Sequence, residues 1–342
     1  MKRLFLLALL LAGGCGRPPQ PGVTELVYAS PYSPSHPFSR ADQTWMKFVE
    51  QRSGGRVRVR PIWSGSLLSS DQSMEELRHG IADIGLVMPI YARGGAHLIR
   101  VQSGFYSGAR TPQTQVALYH CMTPATGEYV RELHGLEVLA VQGGILPGIV
   151  TRTRPVRNLA DLKGMRLRAP SELISVLREL GADPVDMPMG DVYSALAKGV
   201  LDGVIAPPDT FGSLHFAEVA HYFTALQVPR GAYPARMMSS RRWQTLSPDV
   251  QKILIEGIPV WEAALAHENQ QAGVLGLATA RGANVTIMPM PAAEQARFDA
   301  LYLKDAERNA KALNDYGIDG MSVFRAARAG VKPDGSIQCG GL

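Results

Sequence analysis

The sequence predicts an α/β protein made of two similarly built lobes. Three observations point to it. Strand-like and helix-like segments alternate along the chain, which is the pattern of a largely parallel sheet covered by helices. The phrase Leu77-Arg78-His79-Gly80-Ile81-Ala82-Asp83 returns as Leu196-Ala197-Lys198-Gly199-Val200-Leu201-Asp202, both reading L-x-x-G-[IV]-x-D. In each copy a glycine ends a helix and an aspartate precedes a buried strand, so two corners of one design lie far apart in sequence. Finally, 342 residues are enough for two domains.

The elements follow in order. Thr24 to Ala29 alternates as a short strand and ends in the proline-rich loop Ser30 to Pro37. Ala41, Trp45, Phe48 and Val49 share one face of a helix that Gly54-Gly55 stops. Arg56 to Arg60 alternates as a strand with one solvated face, and a helix carrying Met74, Leu77 and Ile81 leads to a strand from Ile84 to Val87. The same grammar returns at Arg166 to Pro170, a strand closed by proline. A helix with Leu173, Val176, Leu177 and Leu180 follows and ends at Gly181. Then come an extended piece from Pro184 to Met187 and a helix with Val192, Ala195 and Leu196. Ser247-Pro248 is an N-cap and first-turn pair; it opens a helix running toward Ala280, with Gly257 and Pro259 as bending points. A strand at Asn284 to Met288 and a helix from Pro291 to Asn314 complete the pattern. Val331 to Ser336 reads as disordered.

The N-terminus predicts export. Lys2 and Arg3 precede an apolar run from Leu4 to Ala12 that is too short to span a bilayer, as in a secretory signal. Cys15 directly follows Ala12-Gly13-Gly14, which resembles a bacterial lipobox, so Cys15 is the expected lipidation site; Gly16 to Gly22 then reads as a tether. Without Lys2 and Arg3 the net charge falls from +5 to +3. The arginines are scattered without interleaved aromatics, which argues against a nucleic-acid surface. Cys121 and Cys339 either join as one disulfide in an oxidising compartment or remain a core thiol and a tail thiol, with the second reading preferred.

Signatures of catalysis are missing. There is no G-x-S-x-G elbow, no G-x-x-x-x-G-K-[ST] and no H-E-x-x-H, and the eight histidines show no ligand spacing. No cofactor and no metal are expected, and the sequence reads as a binding protein rather than an enzyme.

Several separated phrases then carry a resemblance. Val156-Arg157-Asn158-Leu159-Ala160-Asp161-Leu162-Lys163-Gly164-Met165-Arg166-Leu167-Arg168-Ala169-Pro170 resembles the signature of the solute-binding components of TRAP transporters, the tripartite ATP-independent periplasmic transporters. So do Gly181 to Met187, Asp191 to Gly203, Ser35-His36-Pro37, Ser53 to Val57 and Trp243 to Pro248, and the likeness runs from residue 24 to about 320. The resemblance implies the two-lobed periplasmic binding protein fold, with crossing strands and a long helix spanning both lobes. It also implies a small organic acid as ligand and a gradient-driven membrane permease as partner. The expected organisation is a lipoprotein-type signal peptide at 1–15 and a tether at 16–23. Lobe I would comprise 24–145 with 231–270, lobe II 146–230 with 271–325, and a flexible tail 326–342.

By the same resemblance the main ligand residue is Arg168. Independently, a guanidinium matches a carboxylate bidentately and stays charged in a dry cleft, and Arg168 precedes Pro170 at a strand end, where α/β folds bind ligands. The sequence departs from the family's pattern at four other ligand positions. Gly148 stands where sialic-acid-binding members carry a second arginine, Ala206 where many have asparagine, Met88 where some have an acid, and Met189 at an aromatic stacking position. Together these imply a less polar monocarboxylate, with room for a bulkier one. Tyr91, Trp63, Tyr106 and Phe211 are either cleft walls or core. Ser30 and His36 lie in the first-strand loop that faces the cleft, and Asp209 either contacts a ligand hydroxyl or caps the following helix, with the cap preferred. The competing readings are a ligand receptor for a sensor kinase, a binding protein of an ABC importer and an exported enzyme.

Overall fold

The computed structural model describes residues 22–92 and 94–339. The signal peptide, most of the tether and Cys15 lie outside the described residues. Eleven strands follow in order: β1 (Thr24–Ala29), β2 (Val57–Ile62), β3 (Ile84–Leu86), β4 (Leu136–Gln142), β5 (Gly148–Thr151), β6 (Arg166–Arg168), β7 (Asp183–Val185), β8 (Gly203–Ala206), β9 (Tyr222–Ala225), β10 (Tyr233–Ser239) and β11 (Thr286–Pro289).

They form two sheets, ordered β2-β1-β3-β10-β4 and β11-β9-β5-β8-β6-β7. The backbone crosses from the first sheet to the second between β4 and β5 and returns between β9 and β10. In the first sheet, β1 pairs in parallel with β2 and β3. In the second, β6 is flanked in parallel by β7 and β8. Both sheets also contain an antiparallel crossing strand, β10 in one and β5 in the other.

The repeated corner explains why the two halves look alike. Gly80 and Gly199 end their helices at φ +80° and +71°, a conformation that costs glycine nothing and other residues strain. The aspartate three residues on then performs one task twice. Asp83 Oδ2 accepts from the backbone N–H of Val27 in β1 at 2.7 Å, and Asp202 Oδ2 accepts from the N–H of Arg166 in β6 at 2.7 Å. Each carboxylate thereby sets the register of the parallel pair it introduces.

A 35-residue helix, Pro248–Gly282, packs on the Pro37–Arg52 helix and β4 at one end and on the short Thr210–Ser213 helix at the other. The Ser247 hydroxyl accepts from Val250 N–H as its N-cap. The helix runs uninterrupted through Pro259, and Gly257 makes room for the Trp45 indole, 2.7 Å from where a Cβ would stand. Gly276 is demanded by contact: a Cβ there would lie 2.1 Å from the Pro208 carbonyl oxygen. This seats the helix directly on the loop after β8.

The C-terminal region departs from expectation. In the Ala292–Ala312 helix, Phe298 and Tyr302 join the second sheet's core, whereas Ala306 and Ala310 join the first sheet's core. The Gly320–Gly330 helix packs into that same first core through Val323, Ala326 and Ala327. The segment from 326 is therefore not a loose tail. Val331 bridges Ile337, and Cys339 is disulfide-bonded to Cys121 in the Pro112–Ala125 helix, overturning the two-thiol reading. Burial of small apolar side chains, spaced along an amphipathic helix, supplies the attachment.

Candidate functional site

Arg168 closes β6. Strand neighbours on both sides hide its backbone, and the residue is 2% exposed. Its Nε donates to the Met187 carbonyl at 2.9 Å, and Nη2 donates to the Tyr91 hydroxyl at 2.7 Å. Its guanidinium carbon also sits 5.7 Å from the centroid of the Tyr91 ring. Tyr91 belongs to the Pro89–Tyr91 turn that follows β3 in the other half, so this contact bridges the two lobes. Both Nη1 hydrogens and one on Nη2 are left without a protein partner among the described residues. No ion pair among those residues involves Arg168.

These free donors face a cavity of about 110 Å³ between the halves. Tyr32, His36, Phe38, Met88 and Tyr91 line it from the first half, and Arg168, Leu173, Met189 and Ile205 from the second. Pro147 and Arg230 come from the two crossing segments, and Asn269 from the long helix. Of the residues singled out in the sequence, Arg168, Met88, Met189, Tyr91, His36 and Asp209 are brought together here.

His36 caps the Pro37–Arg52 helix, its Nδ1 accepting from Phe38 N–H at 3.2 Å while its ring stacks on Tyr32 at 4.0 Å. Burial, then Arg236 and Arg40, lower its pKa to about 3. It is a neutral imidazole whose accepting Nδ1 assigns the proton to Nε2.

Four expectations fail on packing. Ala206 faces the core of Phe211 and Phe223, and it is Ile205, one residue earlier, that reaches the cavity. A strand alternates sides with period two, so a one-residue slip reverses the face. Gly148 pairs with Ala206 in β5, where a Cβ would strike Thr224 O and the Phe223 ring; Pro147 lines the cavity in its place. Ser30 is buried behind the wall, its Oγ accepting from Tyr32 N–H at 3.3 Å. Asp209 makes no capping hydrogen bond to the Thr210–Ser213 helix. Of the aromatic candidates other than Tyr91, Tyr106 and Phe211 are buried in the core and Trp63, half-buried, packs against it. Tyr106 donates to Ala232 O at 3.2 Å, Phe211 packs edge-on against Phe223, and Trp63 packs edge-on against Tyr28.

The structure also adds two polar groups that the sequence reading passed over, Arg230 and Glu172, and gives Asp209 a buried setting beside them. Arg230, in the crossing before β10, lays its guanidinium over Gly144 so closely that a Cβ there would be 2.4 Å from its Cζ. The Gly143-Gly144 pair in the other crossing was the available signal. Asp209 is buried, accepts only a 3.3 Å hydrogen bond from Ser213 Oγ, and has its pKa pushed up to about 6 by burial, with Arg230 opposing the rise. Glu172 lines the cavity near Arg168; burial raises its pKa, and its Oε2 has no hydrogen-bond partner. Among the described residues no cluster of three or more His, Cys, Asp or Glu could hold a metal, and no helix is long and apolar enough to cross a membrane.

The chain as a whole is similar to known bacterial solute-binding proteins. Residues 28–310 match the family model described as bacterial extracellular solute-binding protein, family 7. A solute-binding protein of Albidiferax ferrireducens is 28% identical over 217 residues, 60% of this chain and 62% of the relative. A monocarboxylate 2-oxoacid-binding periplasmic protein of Nostoc is 23% identical over 279 residues, covering 78% of this chain and 75% of the relative. A TRAP periplasmic solute-binding protein of Desulfovibrio salexigens, solved as an open complex with the C-terminus of a symmetry mate in its ligand-binding site, superposes with a TM-score of 0.69. It is 26% identical, over 90% of this chain and 95% of that one. The chain spans about 60% of the length of the first curated relatives it matches.

Proposed function

The chain belongs to family 7 of the bacterial extracellular solute-binding proteins, and we propose that it captures a compact, largely apolar monocarboxylate between its lobes and delivers it to the membrane permease of a TRAP transporter. One observation carries the reading. Arg168 is a buried cation with free N–H donors aimed into a cavity and with no internal carboxylate paired to it. Glu172 and Asp186 act on the guanidinium only at longer range, without an ion-pair contact among the described residues, and a buried charge lacking a direct counter-ion is costly, which supports a counter-charge brought by the ligand. A carboxylate bound to the guanidinium supplies it bidentately.

The walls supply the rest. Met88, Met189, Tyr91 and Phe38 offer apolar and aromatic contact, and methionine adapts to irregular apolar shapes. The cavity, about 110 Å³, favours a compact ligand over an extended one. The relatives support the class of ligand. One is named for monocarboxylate 2-oxoacids, and another holds the C-terminus of a symmetry mate, which ends in a carboxylate, in its site. The Tyr91–Arg168 bond across the lobes couples the carboxylate anchor to closure. The finer localisation proposed is a lipid anchor on Cys15, which metabolic labelling with palmitate should detect and Cys15→Ser should abolish.

The test is titration calorimetry of the purified protein with compact monocarboxylates, dicarboxylates and sialic acids, alongside mass spectrometry of ligand that co-purifies. Binding of a compact monocarboxylate that Arg168→Ala abolishes is expected. Nanomolar binding of succinate or a sialic acid would refute the reading, and so would co-purified ligand retained by Arg168→Ala.

A further inference from the structure

We infer that Arg230 and Asp209 form a second recognition point that reads a hydroxyl group on the bound acid, away from its carboxylate. This rests on the reading of Arg168 as the carboxylate anchor. Both residues line the same cavity as Arg168. They come from different elements: Asp209 from the loop after β8, beneath the long helix, and Arg230 from the crossing between β9 and β10. They feel each other electrostatically but make no ion pair and no hydrogen bond to each other. What each does have is meagre. Asp209, 8% exposed, receives one long hydrogen bond from Ser213. Arg230 rests on the Gly144 backbone and meets the Tyr233 hydroxyl, which itself accepts from Gln142 at 3.1 Å.

The chemistry of the gap selects the group. An ionised carboxylate only accepts hydrogen bonds and a guanidinium only donates them. A hydroxyl does both, so it can donate to Asp209 and accept from Arg230 at once. A second carboxylate would satisfy Arg230 but stand against Asp209. An ammonium would satisfy Asp209 but stand against Arg230. A keto or ether oxygen would leave Asp209 without a donor, and a buried polar group left unpaired is costly. The ligand class is therefore a hydroxylated compact monocarboxylate, in preference to a dicarboxylate, an amino acid or an unsubstituted acid.

The experiment is calorimetric titration with benzoate, meta- and para-hydroxybenzoate, and the dicarboxylates isophthalate and terephthalate. It uses wild type, Asp209→Ala, Arg230→Met and Arg168→Ala, each checked for cooperative thermal unfolding. For the wild type, at least one hydroxybenzoate should bind about tenfold more tightly than benzoate, with both dicarboxylates weaker, as expected for a hydrogen bond to charged groups. In Asp209→Ala and in Arg230→Met that margin, read as the ratio of hydroxybenzoate to benzoate affinity within each variant, should shrink to about threefold or less. Because the two variants sit on separate elements, either one that folds is sufficient, and the wild-type margin stands without them. Equal wild-type binding of benzoate and both hydroxybenzoates overturns the inference, as does a margin that survives in a folded variant; if Arg168→Ala still abolishes benzoate binding, the anchor reading stands regardless. If no acid binds the wild type, the anchor reading fails and this inference fails with it.

Discussion

Arg236 and Arg168 are both buried arginines on sheet strands, one in each half, and they are answered in opposite ways. Arg236, 0% exposed on β10, donates from Nε to Asp42 Oδ1 at 2.9 Å and from Nη1 to Gln142 Oε1. Asp42 also receives the Trp261 indole N–H at 2.9 Å and the Tyr28 hydroxyl at 2.5 Å. Burial, reinforced by Asp42, holds the Tyr28 proton on well above the ordinary phenol range. That charge is neutralised from within. Arg168 has a phenol and a carbonyl for hydrogen-bond partners and, among the described residues, no carboxylate in ion-pair contact; Glu172 and Asp186 act on it only at longer range. Burying a charge costs about the same either way, so the difference lies in where the counter-ion comes from. An internal one makes a strut; a missing one makes a socket.

Four measurements can break or sharpen this comparison. The largest effect belongs to the strut. Arg236→Met leaves Asp42 buried without its cation and should lower unfolding free energy by about 3–5 kcal/mol in urea titration. A loss below about 1 kcal/mol would mean the pair contributes no more than a surface contact. Second comes the socket. Arg168→Ala should weaken ligand binding by about 2–4 kcal/mol in calorimetry, yet change the stability of the ligand-free protein by less than about 1 kcal/mol or raise it. Equal destabilisation by the two arginine variants would erase the distinction.

Third, Asp209 tests whether the cavity holds its polar groups at a cost. Its folded pKa of about 6 lies above the ordinary 3.8, so the folded state keeps the proton longer than the unfolded one. The penalty therefore grows as pH rises from about 4 to about 6 and is complete above that. Asp209→Asn should stabilise the ligand-free protein by about 3 kcal/mol at pH 7 and by nothing near pH 3.5, read from melts across pH. A gain that does not depend on pH would show that the carboxylate's ionisation is not the cause. The smallest effect is expected at Tyr91→Phe, which removes the hydroxyl that bridges to Arg168. Affinity should fall by about 1 kcal/mol, roughly fivefold, with stability unchanged. No change in affinity would uncouple the anchor from the first lobe.

How much of this was legible depends on the range of the interactions involved. The repeated L-x-x-G-[IV]-x-D phrase could be read because its work is local: a glycine at positive φ and an aspartate on the next strand over. Arg168 was legible because it lies inside a continuous phrase ending in proline. Met88 and Met189 were found by counting from such phrases, and His36 by its place in the first-strand loop. The same counting placed Ala206 on the cavity face, where the strand's alternation puts Ile205. Arg230 was missed because nothing near it in sequence announces a site; its role comes from Gly144 in the other crossing segment. Cys121 and Cys339 are 218 residues apart, and no spacing rule pairs them.

By itself, then, the sequence determined the alternation of strands and helices, the duplicate corners, the expectation of export and the place of an arginine at the end of β6. These are properties of backbone geometry and of short phrases. Tertiary structure decided which buried arginine has a counter-ion, which face of β8 meets the ligand, what stands opposite Arg168 and where the C-terminal helix docks. Each of those depends on groups far apart in sequence meeting across sheets, lobes and crossings. Whether a buried polar group is satisfied is a property of the assembled neighbourhood, not of the residue that carries it.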